Sequence, residues 1–127
     1  MIGALPEVYL RDHLDVQSKT PGAVTPIAFL EYLRGYTSAG AIHAVCEDYR
    51  AGTTIDRQLQ EAIKQKIAQP LMAIWRAKGT VGQPFDVLPM WRVDAENVSG
   101  HGLPCGHLIM EEDPEGLLKA LNTFLQA

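Results

Sequence analysis

Asn97-Val-Ser-Gly-His-Gly-Leu-Pro-Cys-Gly-His-Leu-Ile-Met-Glu-Glu-Asp-Pro-Glu-Gly-Leu-Leu118 is the stretch whose reading decides the fold. Val98 to Leu103 reads as a short strand and is followed by a loop carrying Gly106-His107. Pro114 then opens a helix running to Phe124, with Asp113 as its N-cap and acidic residues before it. A histidine just beyond a strand, ahead of a helix, is placed to move protons near neutral pH. The alternative is a loop histidine bonded only to backbone.

Upstream of this stretch the pattern supplies the strand's partner. Leu71-Met-Ala-Ile-Trp75 is a compact apolar run after Gln69-Pro70, as expected of a buried parallel strand. Phe85 to Val93 carries Val87, Leu88 and Trp91 and reads as the helix between the two strands. Residues 69–127 are therefore expected to form a short parallel β-α-β-α unit with a right-handed crossover.

Residues 1–68 read as helical. Pro6 to about Gln17 carries Val8, Leu10 and Leu14, and Ser18 to Gly22 breaks the pattern. Thr25-Pro26 reads as an N-cap with proline at the first helical position, opening a helix through Ile27, Phe29, Leu30 and Leu33 to about Gly35. Ser38 is expected to cap a third helix, with Ile42, Val45 and Cys46 on one face and Tyr49 towards its far end. Asp56 is expected to cap a fourth, with Leu59, Ile63 and Ile67 at helical spacing.

Composition narrows the class. The 127 residues fit one compact unit, with 46% hydrophobic and 20% charged residues. The net charge of -4 and the scattered Lys and Arg argue against nucleic acid as a partner. No apolar run approaches the roughly 18 residues that span a bilayer, and Met1 to Leu10 lacks the pattern of a secretory signal. Cys46 and Cys105 have no CxxC spacing and read as reduced thiols, so a cytoplasmic location is expected. His101, Cys105 and His107 lack a fourth ligand at zinc-site spacing, so neither metal nor cofactor is expected. Asp12-His13 reads as surface and His43 as half-buried, while Gly79-Thr-Val-Gly82 is too short to cradle a phosphate.

Several blocks together carry a resemblance. Glu47-Asp48-Tyr49-Arg50-Ala51-Gly52, Pro70-Leu-Met-Ala-Ile-Trp75, Asp86-Val87 with Trp91, and Gly106-His107 through Glu111-Glu112-Asp113-Pro114-Glu115 resemble the carboxyl-terminal portion of haloacetate (fluoroacetate) dehalogenases. These enzymes belong to the α/β-hydrolase superfamily. The Glu-Asp-Tyr-Arg-Ala block is the more specific of these motifs, since the Gly-His block fits many α/β-hydrolases.

The resemblance implies a partial α/β-hydrolase fold, with a helical cap remnant over 1–68 and the end of the core over 69–127. It implies that His107 is the histidine that activates water against an ester on an aspartate nucleophile. Tyr49 would be the cap tyrosine that donates to the departing halide; its bland alternative is a helix-end aromatic packed in the cap. Arg50 reads as a salt-bridge or capping residue.

The family's Gly-His-Asp-Arg-Gly nucleophile elbow has no counterpart in these 127 residues. Gly79 stands where many α/β-hydrolases place the triad acid, Arg76 stands where relatives carry glycine, and Asp86 reads as a helix N-terminal charge. Activity of this chain alone is therefore not expected. The open readings are a truncated hydrolase, a small binding module, and half of a split enzyme with a missing N-terminal half.

Two strands are too few to bury a parallel sheet, and the edge of the first would present bare backbone groups. Either further strands escape this reading or that edge pairs with another chain; a homodimer or other self-association that completes the sheet is expected. Light scattering at micromolar concentration should give twice the 14.0 kDa chain mass; a monomer would exclude the dimer.

Overall fold

The computed structural model describes residues 2–78 and 85–126. Four helices precede the first strand: α1 (Pro6–Gln17), α2 (Pro26–Tyr36), α3 (Ala41–Thr53) and α4 (Ile55–Ala62), after a single 3-10 turn at Ile2–Ala4. Strand β1 (Leu71–Arg76), α5 (Val87–Asp94), β2 (Val98–Leu103), α6 (Ile109–Glu112) and α7 (Pro114–Leu125) follow. Gly79-Thr-Val-Gly82, read above against a phosphate loop and a triad acid, lies outside the described residues.

The chain divides into two compact units. The first comprises Met1–His13 and Thr25–Lys64, and the second comprises Leu14–Val24 and Gln65–Ala127. Residues 14–24 and 65–68 thus cluster with the carboxyl-terminal part. Long-range hydrogen bonds join these parts: the Gln17 carbonyl accepts from His107 N–H at 3.1 Å, and Lys19 N–H donates to the Glu112 carboxylate at 2.9 Å.

In the first unit, Thr25 caps α2 as its sequence requires, its hydroxyl oxygen accepting from Ala28 N–H at 3.2 Å with Pro26 next in line. Leu10 and Phe29 are its buried apolar side chains, and the Arg11 guanidinium lies 4.0 Å from the centre of the Phe29 ring. Tyr9 stacks with both His13 and Tyr36.

Other helix ends depart from expectation. Ser38 does not cap α3: its hydroxyl donates back to the Gly35 carbonyl at 2.7 Å, and Gly40 takes the cap position in a left-handed conformation. Asp56 lies inside the first turn of α4, behind Thr54. That helix stops at Ala62, so Ile63 is its C-cap and Ile67 leaves it to bridge Ala95 beside the sheet. A helical spacing of apolar residues was present there, but the backbone hydrogen bonds of Ile67 are taken by Asp94 and Glu96. His43 is exposed rather than half-buried.

The second unit is organised by one parallel pair. β1 and β2 run in register from Leu71 opposite Val98 to Arg76 opposite Leu103. Pairing continues past the strand ends, with Ala77 N–H donating to the Leu103 carbonyl (2.7 Å) and Lys78 N–H to the Cys105 carbonyl (3.1 Å). Among the described residues the sheet has these two strands.

The residues buried around it are Ala73, Ala95, Leu103, Cys105 and Ala120, most of them small. Large apolar side chains remain outside, including Met90, Trp91 and Val93 of α5 and Leu118 and Leu125 of α7. A groove of about 470 Å³ runs between the sheet and α7, lined by Met72, Gly100, Leu103, Ala120 and Phe124 among others. Met72 and Gly100 thus meet open space where a parallel sheet ordinarily meets a covering layer.

Close approach of the strands depends on Gly100. Its φ is +139°, and a Cβ there would stand 1.8 Å from the Ala73 carbonyl oxygen. Gly100→Ala is predicted to cost about 3 kcal/mol, through combined backbone strain and steric clash. Denaturant titration followed by circular dichroism checks this, and a loss below about 1 kcal/mol would contradict it.

Candidate functional site: the histidine loop

Past β2 the chain turns sharply. Leu103 is buried, Cys105 N–H donates back to the Leu103 carbonyl at 2.8 Å, and both Cys105 and Gly106 are buried. His107 is exposed. Its backbone is held tightly while its ring faces solvent.

Three consecutive amides fix that backbone. Gly106 N–H donates to Glu112 Oε2 at 2.9 Å, His107 N–H to the Gln17 carbonyl at 3.1 Å, and Leu108 N–H to Glu112 Oε1 at 3.1 Å. Glu112 Oε2 also accepts from Lys19 N–H and from the Thr20 hydroxyl, each at 2.9 Å. One carboxylate thus accepts four hydrogen bonds from two separate stretches of chain. The Lys19 ammonium turns elsewhere, donating to the Val16 carbonyl at 2.9 Å.

Gly106 is required by the same packing. A Cβ there would lie 2.7 Å from both Glu112 Oε1 and Lys19 N, and 2.9 Å from Gln17 O. Beyond the loop, Asp113 caps α7 as expected, accepting from Gly116 N–H at 3.0 Å ahead of Pro114. The short α6 holding Glu112 was not expected. By local pattern Glu111-Glu112-Asp113 is helix-start charge, whereas Glu112 turns back to the loop. The spacing Gly106-x-x-x-x-x-Glu112 offered no motif for that contact, and residues 17–20 are more than 85 positions away in sequence.

The electrostatics follow from this geometry. Burial pushes the Glu112 carboxyl up, but the hydrogen bonds from Gly106, Lys19, Thr20 and Leu108 outweigh it and hold the group below the usual carboxylate range. Burial pushes the Cys105 thiol up, with the Glu112 and Asp113 carboxylates adding to the effect and Lys78 opposing it. Cys105 is thereby a poor nucleophile. Cys46, half-buried in the first unit, is free as well.

Tyr49 lies on α3 in the first unit and is 70% exposed, so it is not packed within that unit. Arg50 beside it forms an ion pair with Glu47, in keeping with a salt-bridge role. Asp86 occupies the N-cap position of α5 without a side-chain capping bond, and Arg76 closes β1 opposite Leu103. Among the described residues no group of three or more His, Cys, Asp or Glu is placed to hold a metal, and no helix is long and apolar enough to cross a membrane.

No family model matches the chain. A fluoroacetate dehalogenase from Burkholderia sp is 28% identical over 127 residues, covering 98% of this chain and 42% of that protein. Among solved structures, a candidate acyltransferase from Salmonella enterica matches with a TM-score of 0.94 at 45% identity, over 99% of this chain and 42% of its own. A candidate alpha/beta hydrolase from Nostoc sp PCC 7120 matches with a TM-score of 0.93 at 47% identity, over 98% and 43%. A candidate epoxide hydrolase from Pseudomonas aeruginosa matches with a TM-score of 0.89 at 27% identity, over 98% and 43%.

The resemblance to a haloacetate dehalogenase therefore extends over nearly the whole chain, and the fold is a partial α/β-hydrolase fold. The chain spans about 42% of the length of the curated relative it matches.

The Glu112 cluster has a pH signature. Because the folded carboxyl sits below its unfolded value, its stabilisation is full above the ordinary glutamate value of about 4.3 and is lost as pH falls through the folded value. Glu112→Gln, which lacks a second acceptor oxygen, is predicted to cost roughly 2 kcal/mol at pH 7. The Tm gap between wild type and variant, measured by circular dichroism, should narrow steadily below about pH 4.3. A gap independent of pH between 7 and 3 would refute this assignment.

Proposed function

We propose that this chain supplies the histidine side of an α/β-hydrolase site acting on carbon–halogen bonds of small haloacids. The observation that carries the reading is the loop after β2. His107 stands there on a fixed backbone with an exposed ring, in a chain similar to a fluoroacetate dehalogenase over 98% of its length.

In this reading an aspartate carboxylate displaces the halide and becomes an ester. His107 takes a proton from water as that water attacks the ester carbonyl. Tyr49, exposed on α3, donates a hydrogen bond to the departing halide. The aspartate comes from outside these 127 residues, because no Gly-His-Asp-Arg-Gly elbow occurs in the sequence. Relatives named as a hydrolase, an epoxide hydrolase and an acyltransferase point to the same scaffold serving other electrophiles, so the haloacid is the most specific part of the proposal. Free thiols at Cys46 and Cys105 support a reducing compartment such as the cytoplasm.

A second reading has its own support. Twenty-one large apolar side chains are exposed among the described residues, from Ile27 at 79% to Leu121 at 37%. Such a surface suits a partner, either a second copy of this chain or a polypeptide carrying the nucleophile half of a split enzyme. A binding module retained without catalysis would use the same surface.

The catalytic reading predicts that the chain alone releases no halide from fluoroacetate or chloroacetate above a His107→Ala control, since site members act as a unit. Adding a polypeptide that bears the aspartate elbow should restore halide release, and His107→Ala should abolish the restored activity. Release by the chain alone at a rate well above the control would falsify the proposal. Restored activity that survives His107→Ala would remove His107 from the mechanism.

A further inference from the structure

Among the hydrogen bonds of the second unit, those of Glu112 have no counterpart in the reading of His107 as a base. Its two oxygens bracket the histidine, accepting from the amide before it and the amide after it, at 2.9 and 3.1 Å. The histidine's own amide goes to Gln17 O, and Gln17 belongs to the segment that Glu112 also holds through Lys19 and Thr20. Three amides in a row therefore report to one carboxylate, two directly and one through the segment it anchors. A φ or ψ change at His107 would have to break at least one of these bonds.

We infer that Glu112 is a positioning residue for His107, fixing where the imidazole projects by clamping the backbone on both sides and tying it to residues 17–20. This rests on the reading of His107 as the hydrolase histidine for its functional meaning, but the clamp itself is testable without turnover. Glu112 reaches no substrate in this role. It sets the direction of a ring that the loop would otherwise leave free to swing, and a displacement of about 1 Å at such a group is enough to cost roughly a hundredfold in rate.

The choice of glutamate follows from the donors it faces. Four hydrogen bonds converge on one side chain, and all four groups are donors, so both ends of that side chain must accept. A carboxylate meets that demand and an amide does not, because its NH2 would face N–H and O–H groups. Gly106 completes the arrangement, as any Cβ there would stand where Glu112 and Lys19 already meet.

The test uses the full chain and nuclear magnetic resonance. In Glu112→Gln, amide hydrogen exchange at Gly106, His107, Leu108 and Lys19 should rise at least tenfold, while the amides pairing β1 with β2 change less than twofold. The imidazole 1H–13C signal of His107 should shift or broaden, with His13, His43 and His101 serving as internal references that stay in place. Thr20→Val removes one of the four bonds and keeps the charge, so it should give the same pattern at a smaller size. It also serves where Glu112→Gln fails to fold.

Glu115→Gln, on the exposed part of α7, should change none of these readouts. Unaltered exchange at residues 106–108 in both Glu112→Gln and Thr20→Val overturns the inference, as does loosening spread evenly over the second unit. Either result would leave the role of His107 standing. The converse case, a clamp that behaves as expected with a complemented enzyme indifferent to His107→Ala, would sink the catalytic reading and leave the clamp intact.

Discussion

A single carboxylate joins parts of this chain that sequence keeps far apart. Glu112, at the end of α6, accepts from Gly106 and Leu108 in its own loop and from Lys19 and Thr20 near the end of α1. Through it the segment 14–24, which includes the last turn of α1, is tied to the carboxyl-terminal unit. Charge-assisted hydrogen bonds are the stronger kind, and a cluster of four must be either complete or costly. The loop after β2 keeps its shape for that reason, and the direction in which it presents His107 depends on the same cluster.

The sheet beside this loop shows a different constraint. Parallel strands need cover on both faces, and β1 and β2 have only a part of it. The Gly100–Ala73 approach lets the two strands pair closely, yet the groove along α7 and the apolar faces of α5 and α7 are left open. A chain covering about two-fifths of its relatives' length and matching them closely in structure is expected to have such surfaces, because in a longer protein they would meet further layers. The energetic pressure is considerable, since each 100 Å² of apolar surface removed from water is worth about 2.5 kcal/mol.

Much of this was legible from residue pattern. β2 appeared over Val98–Leu103 as read, and the Asp113-Pro114 start of α7 and the Thr25-Pro26 start of α2 followed local capping chemistry. These signals work because each is decided within four or five residues. Ser38 and Asp56 failed as caps because nearby backbone acceptors and an earlier helix start took precedence, and Ile67 left its helical pattern for a strand-like bridge. His107 could be singled out from its loop, but the contacts of Glu112 span more than 90 residues and leave no local trace. Non-local polar contacts of this kind are the part of the site that no window of sequence displays.

The smallness of the buried set has a thermodynamic consequence. Among the described residues, three of the seven buried apolar ones are alanines, Ala73, Ala95 and Ala120, and only Leu10, Phe29 and Leu103 bring large side chains. Heat capacity on unfolding tracks newly exposed apolar area, ordinarily about 12–15 cal/mol/K per residue. Here much of that area is already wet before unfolding begins, so an unassociated chain would have a flat stability curve and a shallow denaturant slope. Covering the open faces would steepen both, making the heat capacity of unfolding a direct gauge of how much of this surface is in use.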